Sequence, residues 1–234
     1  MPLQNRVLPT GEIVADPARG TFMGNRGILH GPDRTLGTAR WRHSAWICCL
    51  LQFKGRARRV MSPGRYTELF FLDEAVALAA GHRPCAECRR SRYLAFRAAL
   101  AVAGIDAGSA KDLDRVLHKA RIAPGRAQER AYAPLTAVPP GAFILLNGRA
   151  HLVLSDALLP FTPQGYGPPI PRPTGRGLVL TPTPICRALA HGYAPALHPT
   201  AHQSPRARPF RAPERASLFA AHCASHWTKA PKPV

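Results

Sequence analysis

Apolar positions along the chain follow two different rhythms. Between residues 46 and 117 short strand-like runs alternate with stripes at helical spacing, and from residue 141 the pattern returns to strand-like runs set among Pro and Gly. Residues 46–53 (WICCLLQF) predict a buried strand that ends at Lys54-Gly55, and residues 66–71 predict a second, rich in Thr and aromatics. We expect these two to pair antiparallel. Asp73 is a good N-cap for a short Ala-rich helix reaching Ala80, with Gly81 as its left-handed stop. A second helix is expected over 89–102, with Tyr93, Phe96 and Leu100 on one face. A third, over 110–119, would bury Leu113, Val116 and Leu117.

Farther on, residues 143–146, Asn147-Gly148 and 149–154 form a hairpin pattern with type I′ turn chemistry. Strands are expected near 158–162 and 178–181, and a helix over 184–191 ending at Gly192. The first 40 residues are punctuated by Gly and Pro and are expected to be irregular. The division that follows is a module over 1–123, a linker over 124–140, a small β-rich domain over 141–199, and a disordered tail over 200–234 rich in Pro, Ala, His and Arg.

Composition changes this picture in two ways. A hydrophobic content of 46% suits an ordinary globular core, and the 25 prolines add turns. The N-terminus lacks the apolar stretch of a secretion signal, and no apolar run approaches the roughly 18–20 residues that span a bilayer. A cytoplasmic protein with reduced thiols is therefore expected, in which close-spaced cysteines bind metal in preference to forming disulfides. The net charge is +19, from 32 Lys and Arg against 13 Asp and Glu. Such a surface attracts nucleic acid through phosphate contacts and counterion release. An Arg-, Ala-, Pro- and Gly-rich composition also fits GC-rich coding, so charge alone leaves a merely solvated surface open.

The candidate chemistry sits at Cys85-Ala86-Glu87-Cys88. A Cys-x-x-Cys turn puts two thiolates on one side of a tight knuckle, as two corners of a zinc tetrahedron require. The helix that follows, with Arg89 and Arg90 in its first turn, would lower the thiol pKa values. The alternative, a redox pair, calls for a strand leading into the knuckle within a parallel sheet, where a short helix precedes this one.

The stretch from Glu74 to Arg89, EAVALAAGHRPCAECR, resembles the end of the zinc-binding N-terminal domain of the Ada DNA-repair proteins, and Leu69-Phe70-Phe71 matches the strand before it. The resemblance covers residues 46–93. It implies that Cys85 and Cys88 are the last two zinc ligands. It also implies that an earlier strand brings a cysteine able to accept a methyl group from a DNA phosphotriester. In that region stand Cys48 and Cys49, followed four residues later by Gln52 or Phe53, so the family's Cys-x-x-x-Cys pair is incomplete. Strand alternation allows only one of the two to face the metal, and Cys49 shares a face with Ile47, Leu51 and Phe53.

A histidine is expected to complete the site, with His30, His43 and His118 as contenders; His30 is placed first because its loop can fold over the knuckle. His82 matches a bulky packing position. The expected fold class is α+β, a small zinc-stabilised antiparallel sheet with helices followed by a small β-rich domain. The expected function is zinc binding with DNA contact through Arg56, Arg58, Arg59, Arg89 and Arg90, and Cys49 as alkyl acceptor if chemistry occurs. Two rivals are a structural zinc module for protein interaction and a metal-dependent nuclease drawing on His118 or His151 with Glu129 or Asp156.

Overall fold

The computed structural model of the protein describes residues 1–55, 59–123 and 128–202, with a further backbone segment at 228–229. In chain order the elements are β1 (Gln4–Val7), β2 (Ile13–Ala15), β3 (Phe22–Asn25), β4 (Ile47–Leu50), β5 (Leu69–Phe71), α1 (Glu74–Ala79), β6 (Arg83–Pro84), α2 (Arg90–Val102) and α3 (Ala110–Arg121). There follow β7 (Ala131–Pro134), β8 (Phe143–Leu146), β9 (Arg149–Val153), β10 (Ala157–Thr162), β11 (Gly165–Tyr166), β12 (Ile170–Pro171), β13 (Arg176–Val179), α4 (Thr183–Ala190) and β14 (Thr228–Lys229). Helices and two sheets in one chain make the fold α+β.

The helices start and stop where local chemistry dictates. The Asp73 carboxylate accepts the Val76 N–H at 2.9 Å to cap α1, and Gly81 leaves the helix at φ +85°. Ser109 and Asp112 form a reciprocal capping box at the start of α3. Helix α2 buries Tyr93, Phe96, Ala99 and Leu100, and α3 buries Leu113 and Leu117. Val116, expected in that stripe, is 37% exposed because it lies on the outer edge of the α3 face.

The first sheet runs β2-β1-β5-β3-β4-β6. The expected direct pairing of β4 with β5 is not formed. Instead β3 lies between them, with Met23 opposite Cys49 on one side and Phe70 on the other. Gly24 explains how: a Cβ there would collide with the Ile47 carbonyl and the Phe71 ring, so only glycine lets the strands close around β3. Residues 1–40, expected to be irregular, thus supply three strands. On the far side β4 pairs in parallel with β6, Cys48 opposite Pro84, which brings the Cys-x-x-Cys knuckle to the end of β4.

The second sheet runs β11-β10-β9-β8-β13-β7-β14, with β12 on β10. The β8–β9 hairpin turns through Asn147 (φ +50°) and Gly148 (φ +73°), as its sequence requires. Strand β7 lies within the segment expected to be a linker. Both faces of the second sheet are covered, which is why its strands read as continuous apolar runs. Ile144, Val153 and Leu158 enter one core with Leu78, Phe96, Leu117 and Ile185. Their neighbours Phe143, Leu152 and Leu159 enter the other with Leu69, Phe71 and Ala77. Each core therefore draws residues from both halves of the chain. The expected disordered tail falls outside the described residues, apart from a 3-10 turn at Pro199–His202 and β14, which pairs with β7.

Candidate metal centre

The ends of β4 and β6 converge at the knuckle. The Cys85 N–H donates to the Cys48 carbonyl at 2.9 Å, fixing the knuckle against β4. The side-chain sulfurs of Cys49, Cys85 and Cys88 then lie within 4.8 Å of one another, and all three residues are half-buried. A tetrahedral zinc with bonds of about 2.3 Å places its sulfurs about 3.8 Å apart, a spacing within that limit. The donor set fits a thiophilic metal. Among the described residues this is the one group of three or more His, Cys, Asp or Glu donors that converges so closely.

The thiols share their protons unevenly. Cys85 receives a hydrogen bond from Cys49 and the Glu87 N–H at 3.4 Å, and its pKa falls to about 5 despite partial burial. Cys49, whose proton is held in that bond and whose sulfur is largely buried, is pushed up, and burial also raises Cys88. One thiolate stabilised by a neighbouring thiol and by backbone N–H groups is a cluster already disposed to hold a cation.

Cys48 points to the opposite face, as alternation requires. Its buried sulfur accepts from the Arg89 guanidinium at 3.3 Å, and burial raises its pKa. Arg89 is 5% exposed, stacks over Phe22 at 4.4 Å and bridges to Glu74 at 2.8 Å. It is thus a buried structural cation and not the surface phosphate contact expected, because Glu74 and the Phe22 ring replace its water. Glu74 is fully buried; burial alone would raise its carboxyl, but Arg89, the Ala196 N–H and the Tyr193 hydroxyl together hold it below its ordinary value. This network was invisible in the sequence, where Glu74 reads simply as a favourable helix-start residue.

Among the described residues no histidine joins the three cysteines. His30 is buried between the Thr67 hydroxyl (2.6 Å) and the Ser62 carbonyl (3.3 Å), so its ring is already occupied. His43 meets the Asn25 side chain at 3.1 Å, and His118 packs edge-on against Trp41 with ring centres 4.6 Å apart. His82 packs between Trp46 and Phe71, as expected. Of the rival nuclease residues, His151 is tied to the Arg149 carbonyl on β9, and Asp156 accepts from Ser155 in an exposed turn. Arg59 and Arg90 are exposed, whereas Arg56 and Arg58 lie outside the described residues.

The knuckle is anchored from behind. Arg83, two residues before Cys85, forms a buried two-bond pair with Asp114 of α3 at 2.7 and 2.8 Å. Exposed Lys54 and Glu87 pair at 3.6 Å close to the cysteines.

No protein-family model, curated protein or solved structure matches the chain. Fold and site therefore define it as an α+β protein with a three-cysteine group able to bind a metal ion. No helix among the described residues is long and apolar enough to cross a membrane.

Proposed function

We propose that the chain is a zinc protein that contacts DNA and presents a zinc thiolate as an alkyl acceptor. The convergence of Cys49, Cys85 and Cys88 carries the metal assignment. The net charge of +19 and the exposed Arg59 and Arg90 support the DNA contact, and the Ada-like stretch from Glu74 to Arg89 supports both. Bound zinc keeps thiolates deprotonated at neutral pH. Cys49 is the acceptor by its place on the strand. With zinc held by the three cysteines, the Cys49 sulfur would attack the methyl carbon of a phosphotriester, forming an S–C bond as the C–O bond breaks and the phosphodiester leaves with the electron pair. A thioether remains, so each chain turns over once.

Metal analysis of the purified chain should find about one zinc ion, retained in Cys48→Ser and lost in Cys85→Ser and Cys88→Ser. A metal-free wild type would end the zinc reading. Incubation with methylphosphotriester DNA should then place a single methyl group on Cys49. Plasmid cutting that depends on added Mg²⁺, with no methylation, would favour the nuclease instead.

A further inference from the structure

A second charged centre lies away from the cysteines. The Trp46 indole is sandwiched between the guanidinium groups of Arg26 and Arg121, each 4.1 Å from the ring. Arg26 is 2% exposed and Arg121 fully buried. Their hydrogen-bond partners carry no negative charge. Arg26 donates to the Gly11 carbonyl and meets the His82 ring nitrogen. Arg121 donates to the Gly81 and Ser44 carbonyls and meets His118. Asp114, the carboxylate nearest in effect to Arg121, is committed to Arg83. Among the described residues the Arg26 Nη2 and Arg121 Nε find no hydrogen-bond partner. Burial, then repulsion from Arg40 in one case and Arg26 in the other, lowers both pKa values to about 9, so both stay charged at neutral pH.

Two buried cations with no counter-charge of their own among the described residues cost free energy that a nearby anion would offset. What covers them is more positive charge. The Arg42 N–H donates to the Arg26 carbonyl at 2.7 Å, the His43 carbonyl accepts from the Trp46 ring, and Ser44 accepts from Arg121, so the loop is stitched directly over the sandwich. Arg40, Arg42 and His43 are exposed on that loop, Lys119 on the adjoining end of α3, and half-buried Trp41 leans on His118 between them.

We infer that residues 40–43 and the C-terminal end of α3 form a phosphate-binding face for nucleic acid. The inference rests on the DNA-contact reading and adds this loop to the contact. Backbone phosphates would sit against Arg40, Arg42 and Lys119, answering the charge held beneath them, with Trp41 at the edge of the contact.

Anisotropy of a labelled duplex with the full zinc-loaded chain, over a series of salt concentrations, tests it. Arg40→Ala/Arg42→Ala should weaken binding and reduce the slope of log affinity against log salt by about two, one for each phosphate no longer neutralised. Arg149→Ala, on the exposed β8–β9 hairpin, should change neither. Quenching of tryptophan emission on binding should vanish in Trp41→Phe. If the wild type fails to bind DNA, the DNA reading falls and this face with it. If the wild type binds but the double variant keeps its affinity and slope while Arg90→Ala loses them, this inference alone is overturned. Equal binding to phosphatidylserine vesicles, without the Trp41 signal, would also overturn it.

Discussion

Replacing Arg89 by methionine tests whether the metal module is held by a buried ion pair. Glu74 and Arg89 are 0% and 3% exposed at their side chains and 2.8 Å apart. Removing the guanidinium leaves a carboxylate in the core with Arg92 at 3.3 Å, the Tyr193 hydroxyl and the Ala196 N–H at 2.8 Å. Breaking a buried pair from one side costs about 3–5 kcal/mol, and the surviving partners place this case near about 3. At about 2–4 °C per kcal/mol for a chain of this size, Tm should fall by about 6–12 °C.

The pH dependence carries a sign. Glu74 is held below its ordinary pKa of 4.5, so the pair's contribution is fully present above that value and is lost as pH falls through the lower, folded one. In Arg89→Met burial dominates, the carboxyl pKa rises, and protonation relieves the misfit. The Tm gap between variant and wild type should therefore narrow from pH 7.5 to pH 5, measured by circular dichroism in matched buffers. Glu74→Gln/Arg89→Met should recover most of the loss. A gap that stays constant with pH, or a cost under about 1 kcal/mol, would refute the reasoning.

Other perturbations read separate parts of the structure. Gly81→Ala places a Cβ at φ +85° and 2.7 Å from the Arg121 Cδ, so it should cost about 2–4 kcal/mol by urea unfolding. Gly148→Ala has φ +73° but open space around it and should cost about 1–2 kcal/mol; equal costs would contradict the close packing of Gly81 on Arg121. Tyr166→Phe removes the 2.7 Å hydrogen bond to buried Asp73 and should lower stability by about 1–3 kcal/mol, checked by the same unfolding assay. On the zinc proposal, a chelator should lower Tm in the wild type and in Cys48→Ser, and leave Cys88→Ser unmoved.

Local signals in the sequence located what depends on local chemistry. The Asp73 cap, the Gly81 stop, the Asn147-Gly148 turn and the face of β4 that carries Cys49 were legible because each depends on a few adjacent residues. Strand β3 was not. Its four residues are too few to show alternation, and its place between β4 and β5 is decided by partners far along the chain. Gly24 was the available clue, since a glycine inside a strand marks a close approach. The fate of Arg89 was hidden for a similar reason. Its charge invites a surface reading, and only the arrival of Glu74 and Phe22 makes burial tolerable. His30 was misplaced because proximity in a loop says nothing of whether Thr67 has already taken the ring.

The segment from Tyr193 to His198 reaches back to α1, its hydroxyl and backbone N–H groups meeting Glu74 and Asp73. On the ribosome, the helix that leads into the cysteine knuckle is made more than a hundred residues before the last groups that bond its two acids, Tyr193, Ala196 and His198. A nascent chain that has not yet extruded residue 198 would have to leave Glu74 to Arg89 and Asp73 to the Val76 N–H, or keep the helix undocked. The three-cysteine group should therefore settle late in synthesis, and chains cut short before residue 193 should be cleared by proteolysis instead of surviving as a small independent cysteine module.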